Sequence, residues 1–377
     1  MKICIVQTVL PLYAISFFNR IVELNPDIQL TLLADLKNKD SLNQYRPELC
    51  KFEVKQLDSI SIGGVYLRPK ILRVLAEINS DITVFSASPR EWSQLLAIFC
   101  AKITRKKTAA WGMFHRVGGV RIFTSIYFRL LGKLVDRCLT YTRIGASQIV
   151  CKGVSKASVC VVGTAIDERQ PFEYSAMMSA DELRKFRYEQ GIEGKKIILQ
   201  VVRLTRLKRA DLLLYAMKRI VNERDDVLAI LIGDGDQRSQ LEELAASLGI
   251  KNSVRFLGSI YDEKLLCPWY LSAQVFVVPT FLGLSGHHAM SYGLPVVTDD
   301  SLDHQGSEFE IVAEGLNGFT YQEGDAEDLS RVMLRILSDA KLQAFLGLNA
   351  KKTIENTHNI DRKTNRFVKS LREFSNL

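Results

Sequence analysis

The sequence predicts an α/β protein that is built from two doubly wound parallel sheets. Short runs rich in Val and Ile alternate with amphipathic segments, which is the pattern of parallel strands separated by helices. The chain has 377 residues, enough for two domains that each bury a core. The series of apolar runs also starts again near residue 195. Two halves of similar architecture, joined by a linker, are the simplest interpretation.

The expected elements follow from this alternation. In the first half we expect strands at residues 2–6, 28–34, 81–85, 107–111 and 159–162. In the second half we expect them at 197–202, 228–232, 253–257, 275–278 and 295–298. Helices are expected at 121–139, 211–221, 237–248 and 361–374, and the charged, turn-rich segment 167–194 is expected to be a linker. The predicted domains are 1–180 and 181–360, with a helix in 361–377 that returns to the first domain.

Composition excludes several classes of protein. With 47% hydrophobic and 24% charged residues, the chain is not a disordered, collagen-like or coiled-coil sequence. No apolar run reaches the ~18 residues of a membrane-spanning helix, and the first residues resemble a buried strand more than a signal peptide. The seven cysteines include no CxxC pair, so we expect neither a disulfide framework nor a structural zinc site, and a reducing cytosol is the natural compartment. A P-loop and a GxGxxG are both missing, which argues against a kinase and an ordinary dehydrogenase.

The positive charge is concentrated in one window. Residues 101–150 hold ten Lys or Arg and one Asp, a local charge of +9 against +8 for the whole chain. On the helix expected there, Arg129, Lys133 and Arg137 follow one another at four-residue intervals beside an apolar face. That face contains Phe123, Tyr127, Leu130, Leu131, Leu134 and Cys138. The layout suits an interfacial helix on an anionic membrane, or a core-packed helix with a solvated basic edge. Nucleic acid is not an expected partner, because no stacking platform or binding motif accompanies the charge.

Two groups of charged or titratable residues follow strands of the expected sheets. Arg203 and Lys208 come directly after strand 197–202, where a guanidinium fork and an ammonium would suit a diphosphate. The alternative is a solvated basic loop. His115 follows strand 107–111 near glycines and could orient a ligand or move a proton, or be a surface-loop histidine.

Two further segments of the second half suit an activated sugar. Gly283, Ser285 and Gly286 open a helix whose amides and dipole favour a phosphate. The adjacent histidines at 287 and 288 point about 100° apart, so they are not expected to chelate a metal together. In 303–310, Glu308 and Glu310 stand beside Gly306 and could accept hydrogen bonds from sugar hydroxyls, or could be surface acids.

Asp234-Gly235-Asp236 matches the DxD pattern of a metal clamp. It lies between an expected strand and an expected helix, where turn and N-cap roles explain Asp and Gly adequately. We therefore expect no metal at this position.

In this arrangement the second half resembles the retaining GT-B glycosyltransferases of the family 4 type (glycosyl transferases group 1). The segment VLPLYAISFFNRI of the first half is similar to the P-x-Y-R entry loop of their polysaccharide- and glycan-assembling branch, with Ala14 in the place of the arginine. The resemblance covers roughly residues 196–337 and rests on VVRLTRLKRADLLLYAM, the GDG turn with its following FLG strand, AQVFVVPTFLGLSGHHAMSYGLPVV and EGLNGFTYQEGDAEDL. The first half is less typical. Where the family has two glutamates eight positions apart, this chain has Thr280 and His288.

The resemblance implies a GT-B fold, with two Rossmann-like domains facing across a cleft, and roles for particular residues. Arg203 and Lys208 would hold the donor diphosphate, Glu308 would approach the transferred sugar, and His115 would lie beside the reacting sugar. The implied donor-binding residues are Gly283, Leu284, Ser285, Gly286, His288, Gly306, Phe256 and Gly258, with the amides of 284–286 on phosphate and the loop at 256–260 near the base.

The activity that the resemblance implies is transfer from a nucleotide-diphosphate sugar, with retained anomeric configuration, to a glycan or lipid-linked acceptor in cell-surface polysaccharide or glycoconjugate synthesis. No cofactor or metal is expected beside the donor. A cytoplasmic enzyme, peripheral on the inner face of the cell membrane, fits the basic window. Two alternatives stay open: a sugar-nucleotide epimerase of the same two-domain plan, and a non-catalytic nucleotide-sugar-binding paralogue.

Overall fold

The computed structural model describes residues 1–37, 46–115 and 122–375, and it divides the chain into two compact units. The first unit is Met1–Asp167 with Ile360–Leu377, and the second is Glu168–Asn359. Each unit has its own parallel sheet and its own hydrophobic core. In the described residues, none of the helices combines the length and hydropathy that crossing a bilayer requires.

The first unit is built on a seven-stranded sheet with helices on both faces. Its strands are β1 Lys2–Val6, β2 Gln29–Ala34, β3 Glu53–Gln56, β4 Ile60–Ile62, β5 Val65–Leu67, β6 Ile82–Ser86, β7 Lys107–Gly112, β8 Arg137–Thr140 and β9 Val159–Val161. The order in the sheet is β3-β2-β1-β6-β7-β8-β9, and β4 and β5 form a separate antiparallel hairpin. Its first helices are α1 Leu12–Leu24, α2 Ile71–Ile78, α3 Ser93–Ile103, α4 Ile122–Leu134 and α5 Arg143–Cys151, with short 3-10 turns at Pro47–Leu49 and Lys156–Ser158.

The second unit has a six-stranded parallel sheet of order β12-β11-β10-β13-β14-β15. Its strands are β10 Lys196–Val201, β11 Val227–Ile232, β12 Val254–Gly258, β13 Ala273–Val277, β14 Val296–Asp299 and β15 Gly318–Tyr321. Its helices are α6 Arg169–Met177, α7 Ala180–Glu189, α8 Ala210–Glu223, α9 Arg238–Ser247, α10 Glu263–Ser272, α11 Ser285–Ser291, α12 Ala326–Ser338 and α13 Ala340–Thr357. Short 3-10 helices lie at Arg206–Lys208, Lys251–Ser253 and Ser307–Ile311.

The last helix, α14 Ile360–Ser375, packs in the first unit. Its Phe367 ring lies 5.4 Å from that of Phe17 on α1, edge to face. At its start, Asp361 Oδ1 accepts a hydrogen bond from Arg20 Nε at 2.5 Å. An apolar contact and an ion pair therefore join the end of the chain to the first unit.

The segment expected to be a linker is folded. Residues 169–189 form α6 and α7, and the side chains of Phe172 and Phe186 pack against the core of the second unit. Ser179 and Glu182 form a capping box at the start of α7. Because these helices belong to the second unit, the division falls at Asp167 and not at residue 180.

The helix expected at 121–139 was wrong at its carboxyl end. The helix α4 ends at Leu134, and Arg137 and Cys138 lie on strand β8, where Arg137 pairs with Ala109 of β7. Arg137 is half-buried and donates a hydrogen bond to the Ala157 carbonyl oxygen, so it does not continue the basic stripe of Arg129 and Lys133. The expected apolar face is also divided: Tyr127 and Leu131 are buried, whereas Phe123 and Leu130 are exposed.

Candidate functional site

The candidate site is the carboxyl edge of the second sheet, where the loops after β10, β13 and β14 emerge. In doubly wound sheets, ligands bind at this edge because loops and helix N-termini gather there. Every strand of this sheet is parallel to its neighbours, so these loops leave the same edge. Most of the residues that the sequence singled out in the second half lie on them.

Lys208 is held in place by the loop that follows β13. Its Nζ lies 4.7 Å from the centroid of the Phe281 ring and donates a hydrogen bond to the Phe281 carbonyl oxygen. Burial lowers the pKa of Lys208 to about 8, and the carboxylate of Glu308 opposes that shift. The structure therefore brings Lys208 and Glu308, two of the predicted residues, into one electrostatic environment.

Two glycines allow the backbone to approach Lys208 and Glu308 closely. A Cβ at Gly283 would lie 3.2 Å from Lys208 Nζ, and the φ of +67° at Gly283 is one that glycine adopts easily. A Cβ at Gly306 would lie 2.9 Å from Glu308 Oε2 and 3.4 Å from the Phe281 ring. Segments from three loops therefore meet around Phe281.

A buried glutamine that the sequence analysis missed joins two of these loops. Gln305 Oε1 accepts a hydrogen bond from the Leu282 amide at 2.9 Å. Its Nε2 donates to Thr298 Oγ1 at 2.7 Å and to Asp299 Oδ1 at 2.8 Å. The loop after β13 is thereby anchored to the end of β14. No local motif marks this residue, because its role depends on tertiary contacts.

Arg203 lies two residues after the end of β10, beside the GDG turn formed by residues 233–235. The neighbouring Leu204 amide donates to the Asp234 carbonyl oxygen at 3.0 Å. A Cβ at Gly233 would lie 1.9 Å from the Val202 carbonyl oxygen, and one at Gly235 would lie 2.2 Å from that of Leu204. Both glycines therefore allow the turn to pass close to the backbone that carries Arg203.

The GDG turn also touches the end of β12. The Gly233 amide donates to the Gly258 carbonyl oxygen at 2.8 Å. Of the two residues predicted to lie near the base, Gly258 therefore contacts this turn, whereas Phe256 lies two residues earlier on β12, in register with Leu231 of β11. Within the described part of the chain, no three His, Cys, Asp or Glu side chains gather as a metal site would require.

The adjacent histidines of α11 point in different directions, as expected. His287 is fully buried. His288 Nε2 lies 2.7 Å from Oε1 of Glu263, at the start of α10, and the Tyr292 hydroxyl donates to the same carboxylate. Burial alone would raise the pKa of Glu263, but the hydrogen bonds from His288 and Tyr292 hold it below its ordinary value. Glu263 was not among the predicted residues, because it comes from another helix.

The start of α11 offers fewer amides than expected. The Gly286 amide already donates to the Gly283 carbonyl oxygen at 3.2 Å. The amides of Leu284 and Ser285 donate to no group in the described chain. Of the three amides expected to be available, only those of Leu284 and Ser285 therefore lack an acceptor in the described residues.

His115 and the basic residues of the membrane hypothesis lie in the first unit. His115 follows β7, is half-buried, and has Nδ1 3.2 Å from the Met113 carbonyl oxygen. Arg129 and Lys133 are exposed on α4.

Comparison with known proteins identifies the second half. Residues 183–353 match the family model of glycosyl transferases group 1. An uncharacterized glycosyltransferase of Methanocaldococcus jannaschii is 32% identical over 195 residues, which cover 51% of this chain and 48% of that protein. The chain spans about half the length of the curated relatives it matches first.

The similarity to solved structures covers nearly the whole chain. A glycosyltransferase from Rickettsia africae has a TM-score of 0.79 at 16% identity, over 99% of this chain and 98% of that one. HepE of Anabaena, solved in complex with UDP, has a TM-score of 0.77 at 18% identity, over 99% of both chains. At these identities the similarity establishes the fold. Residues 183–353 therefore match the glycosyl transferases group 1 family, and the whole chain has the GT-B fold.

Proposed function

We propose that this chain transfers a sugar from a nucleotide-diphosphate sugar to a glycan or lipid-linked acceptor, with retention of anomeric configuration. The observation that carries the proposal is the placement of Lys208 and Glu308 around Phe281, in the unit that matches the family. An ammonium and a carboxylate at this edge suit the two ends of the donor's reacting bond, which joins a diphosphate to a sugar.

The diphosphate would be held by Lys208 and Arg203. A guanidinium can bind two phosphate oxygens at once, and an ammonium supplies a compact charge. When the glycosidic bond breaks, negative charge develops on the leaving diphosphate, and preorganised cations stabilise it most in the transition state. These two side chains would therefore supply the charge stabilisation without a metal ion or another cofactor.

Retention would follow a front-face route. The bond from the anomeric carbon to the diphosphate breaks while the acceptor hydroxyl bonds to the same face of the sugar. The hydroxyl proton passes to the leaving phosphate oxygen. Glu308 would accept hydrogen bonds from the sugar hydroxyls, and His115 would hydrogen-bond the reacting sugar and orient it.

UDP-sugars are the donor class to test first, because HepE of Anabaena was solved with UDP. Phe256 and Gly258 would lie near the base and His288 near the ribose, with Gly283, Gly306 and the amides of Leu284 and Ser285 around the phosphates.

The acceptor would be reached at an anionic membrane. Arg129 and Lys133, exposed on α4, would contact the inner face of the cell membrane electrostatically. An acceptor carried there as a lipid-linked glycan would place the enzyme in cell-surface polysaccharide or glycoconjugate synthesis, as a cytoplasmic peripheral protein.

The proposal is tested with Arg203→Ala and Lys208→Ala, and with Arg206→Ala as a matched control. Arg206 lies between the two on the same loop and is exposed. UDP release from a panel of UDP-sugars with lipid-linked acceptors should fall by about 10²–10³ in the first two variants and stay unchanged in the control. Product NMR reports the anomeric configuration.

Three results would overturn the proposal. Full transfer by both Ala variants would remove the two cations from the mechanism. A new sugar nucleotide formed without acceptor would indicate an epimerase. Donor binding without turnover across the panel would indicate a non-catalytic paralogue.

A further inference from the structure

Helices α3 and α4 expose a row of large apolar side chains on the first unit. The row consists of Leu96, Phe99 and Ile103 on α3 and Phe123, Ile126 and Leu130 on α4. Phe123 is 77% exposed and Ile103 68% exposed, whereas side chains of this kind are usually buried. In both helices the spacing is i, i+3, i+7, so each triplet lies along one side of its helix. We call these six residues the α3–α4 face.

The two triplets belong to one surface. Both helices use their opposite sides, including Ile98 on α3 and Phe128 on α4, to cover the same core. The helices are also joined directly: Gln94 Nε2 donates to the Tyr127 hydroxyl, and the rings of Trp92 and Tyr127 are 5.6 Å apart. The two triplets therefore lie on the outer side of one helix layer, and clusters of exposed apolar side chains are the kind of surface that marks an interaction site.

The charged side chains that the described parts of α3 and α4 carry beside this face are all basic. Lys102 and Arg105 lie at the end of α3, and Arg129 and Lys133 lie on α4, all exposed. In the described residues none of the four makes an ion pair with a carboxylate. Between Glu91 and Asp136 the sequence contains no acidic residue at all. A partner of this surface must therefore be apolar in its interior and negatively charged at its boundary.

We propose that the α3–α4 face inserts into the outer part of an anionic lipid leaflet, with Lys102, Arg105, Arg129 and Lys133 at the level of the lipid phosphates. Apolar side chains buried at the boundary of the acyl chains and flanked by cations are the mark of an interfacial helix. This deepens the proposed function, in which the membrane contact was only electrostatic and involved a single helix. A second copy of the chain fits less well, because two such faces would bring eight like charges together around one interface.

One tryptophan can report insertion. Trp92 is 39% exposed at the start of α3, whereas Trp111 and Trp269 are each 5% exposed. Adding vesicles of phosphatidylglycerol and phosphatidylcholine to the full chain should shift its tryptophan emission to the blue. The Trp92→Phe variant should show no shift, because the other two side chains are already buried.

Vesicle cosedimentation tests the apolar contribution. The double variant Phe99→Ser with Phe123→Ser should reduce the partition coefficient at least tenfold, since burying one such side chain is worth roughly a factor of ten. Phe345→Ser is the matched control, because Phe345 is 50% exposed on α13 in the second unit. It should bind as the unchanged protein does.

The basic contribution is tested in the same way. Arg129→Gln with Lys133→Gln should weaken binding about fivefold per charge, and more salt should reproduce the loss. Lys218→Gln with Lys352→Gln removes two exposed lysines of the second unit and serves as control. UDP binding, followed by thermal shift in every variant, separates this inference from the proposed sugar transfer.

Three outcomes would overturn the inference. In the first, the Phe99 and Phe123 double variant partitions like the unchanged protein. In the second, neutral and anionic vesicles bind equally. In the third, the chain forms a dimer in sedimentation experiments that the same double variant dissociates, which would assign the α3–α4 face to a second copy.

Discussion

The ammonium of Lys208 lies 4.7 Å from the centre of the Phe281 ring and donates a hydrogen bond to the carbonyl oxygen of Phe281. One residue of the loop after β13 thus supplies both a π face and a carbonyl dipole to the cation. Burial lowers the pKa of Lys208 to about 8, and Glu308 limits the shift. Near pH 8 about half of the Lys208 side chains therefore carry the positive charge, and the charge is nearly complete only about one pH unit lower.

The first prediction concerns the pH dependence of UDP binding. A bound diphosphate favours the charged ammonium, so binding should raise the pKa of Lys208 above its free value of about 8 and take up a proton. Affinity should then fall by up to about tenfold per pH unit above pH 8. Titration calorimetry in buffers of different ionisation enthalpy measures the proton uptake directly. Lys208→Arg should show a flat profile, and a flat profile in the unchanged protein would contradict the prediction.

The second prediction concerns Gly283. A side chain is disfavoured at this position for two separate reasons, the φ of +67° and the nearness of Lys208. Gly283→Ala should lower the free energy of unfolding by about 1–2 kcal/mol through the backbone, and should weaken UDP binding because the new methyl lies 3.2 Å from Nζ. Gly324→Ala is the matched control: its φ is +76°, with nothing within 4 Å of the added Cβ. Urea unfolding should show a loss in both variants, whereas calorimetry should show weaker UDP binding only in the first. Equal UDP affinity in both variants would refute a role for this close approach.

The third prediction concerns the pair formed by His288 and Glu263, in which Nε2 of the histidine lies 2.7 Å from Oε1 of the glutamate. His288→Glu would place at this position the residue that the family usually has, yet it should lower stability by about 2 kcal/mol, because two carboxylates would then meet in a half-buried site. Adding Glu263→Gln should restore most of the loss. Chemical unfolding of the two single variants and the double variant gives the coupling energy. Simple additivity of the two changes would count against the pairing.

Sequence reasoning succeeded where a signal is local. Strand β1 was predicted at its observed bounds, and β10 and β14 within one residue, because Val- and Ile-rich runs between helices are typical of parallel strands. Lys208 and Glu308 were singled out because they follow strands, and the structure places both at the same sheet edge. Gln305 and Glu263 were missed, since a buried tertiary hydrogen bond leaves no pattern in neighbouring residues.

The basic window shows why a periodic pattern can mislead. Arg129, Lys133 and Arg137 keep a four-residue spacing, but the helix ends at Leu134 and the third arginine lies on β8. The pairing of β8 with β7 is a long-range interaction that outweighs the local preference. Neither of the two alternatives for the apolar face, interfacial or core-packed, describes the whole face, because Phe123 and Leu130 are exposed whereas Tyr127 and Leu131 are buried.

The final prediction concerns the buried ion pair between Arg68 and Glu91, whose side chains are 0% and 2% exposed. Arg68 also donates to the Leu57 carbonyl oxygen at 3.0 Å and to that of Gln7 at 3.1 Å, and so joins the loops after β1 and β3. Glu91→Gln should cost about 3–5 kcal/mol, because it leaves a buried guanidinium without its counter-charge.

Glu77→Gln breaks an exposed pair with Arg73 and is the matched control, expected to change stability little. Stability is measured by urea unfolding in a chain with Trp92 and Trp269 replaced by Phe. The fluorescence of Trp111 then reports the free energy of unfolding of the first unit, which contains the pair. A Glu91→Gln variant as stable as the control would show that the pair contributes no more than a surface contact.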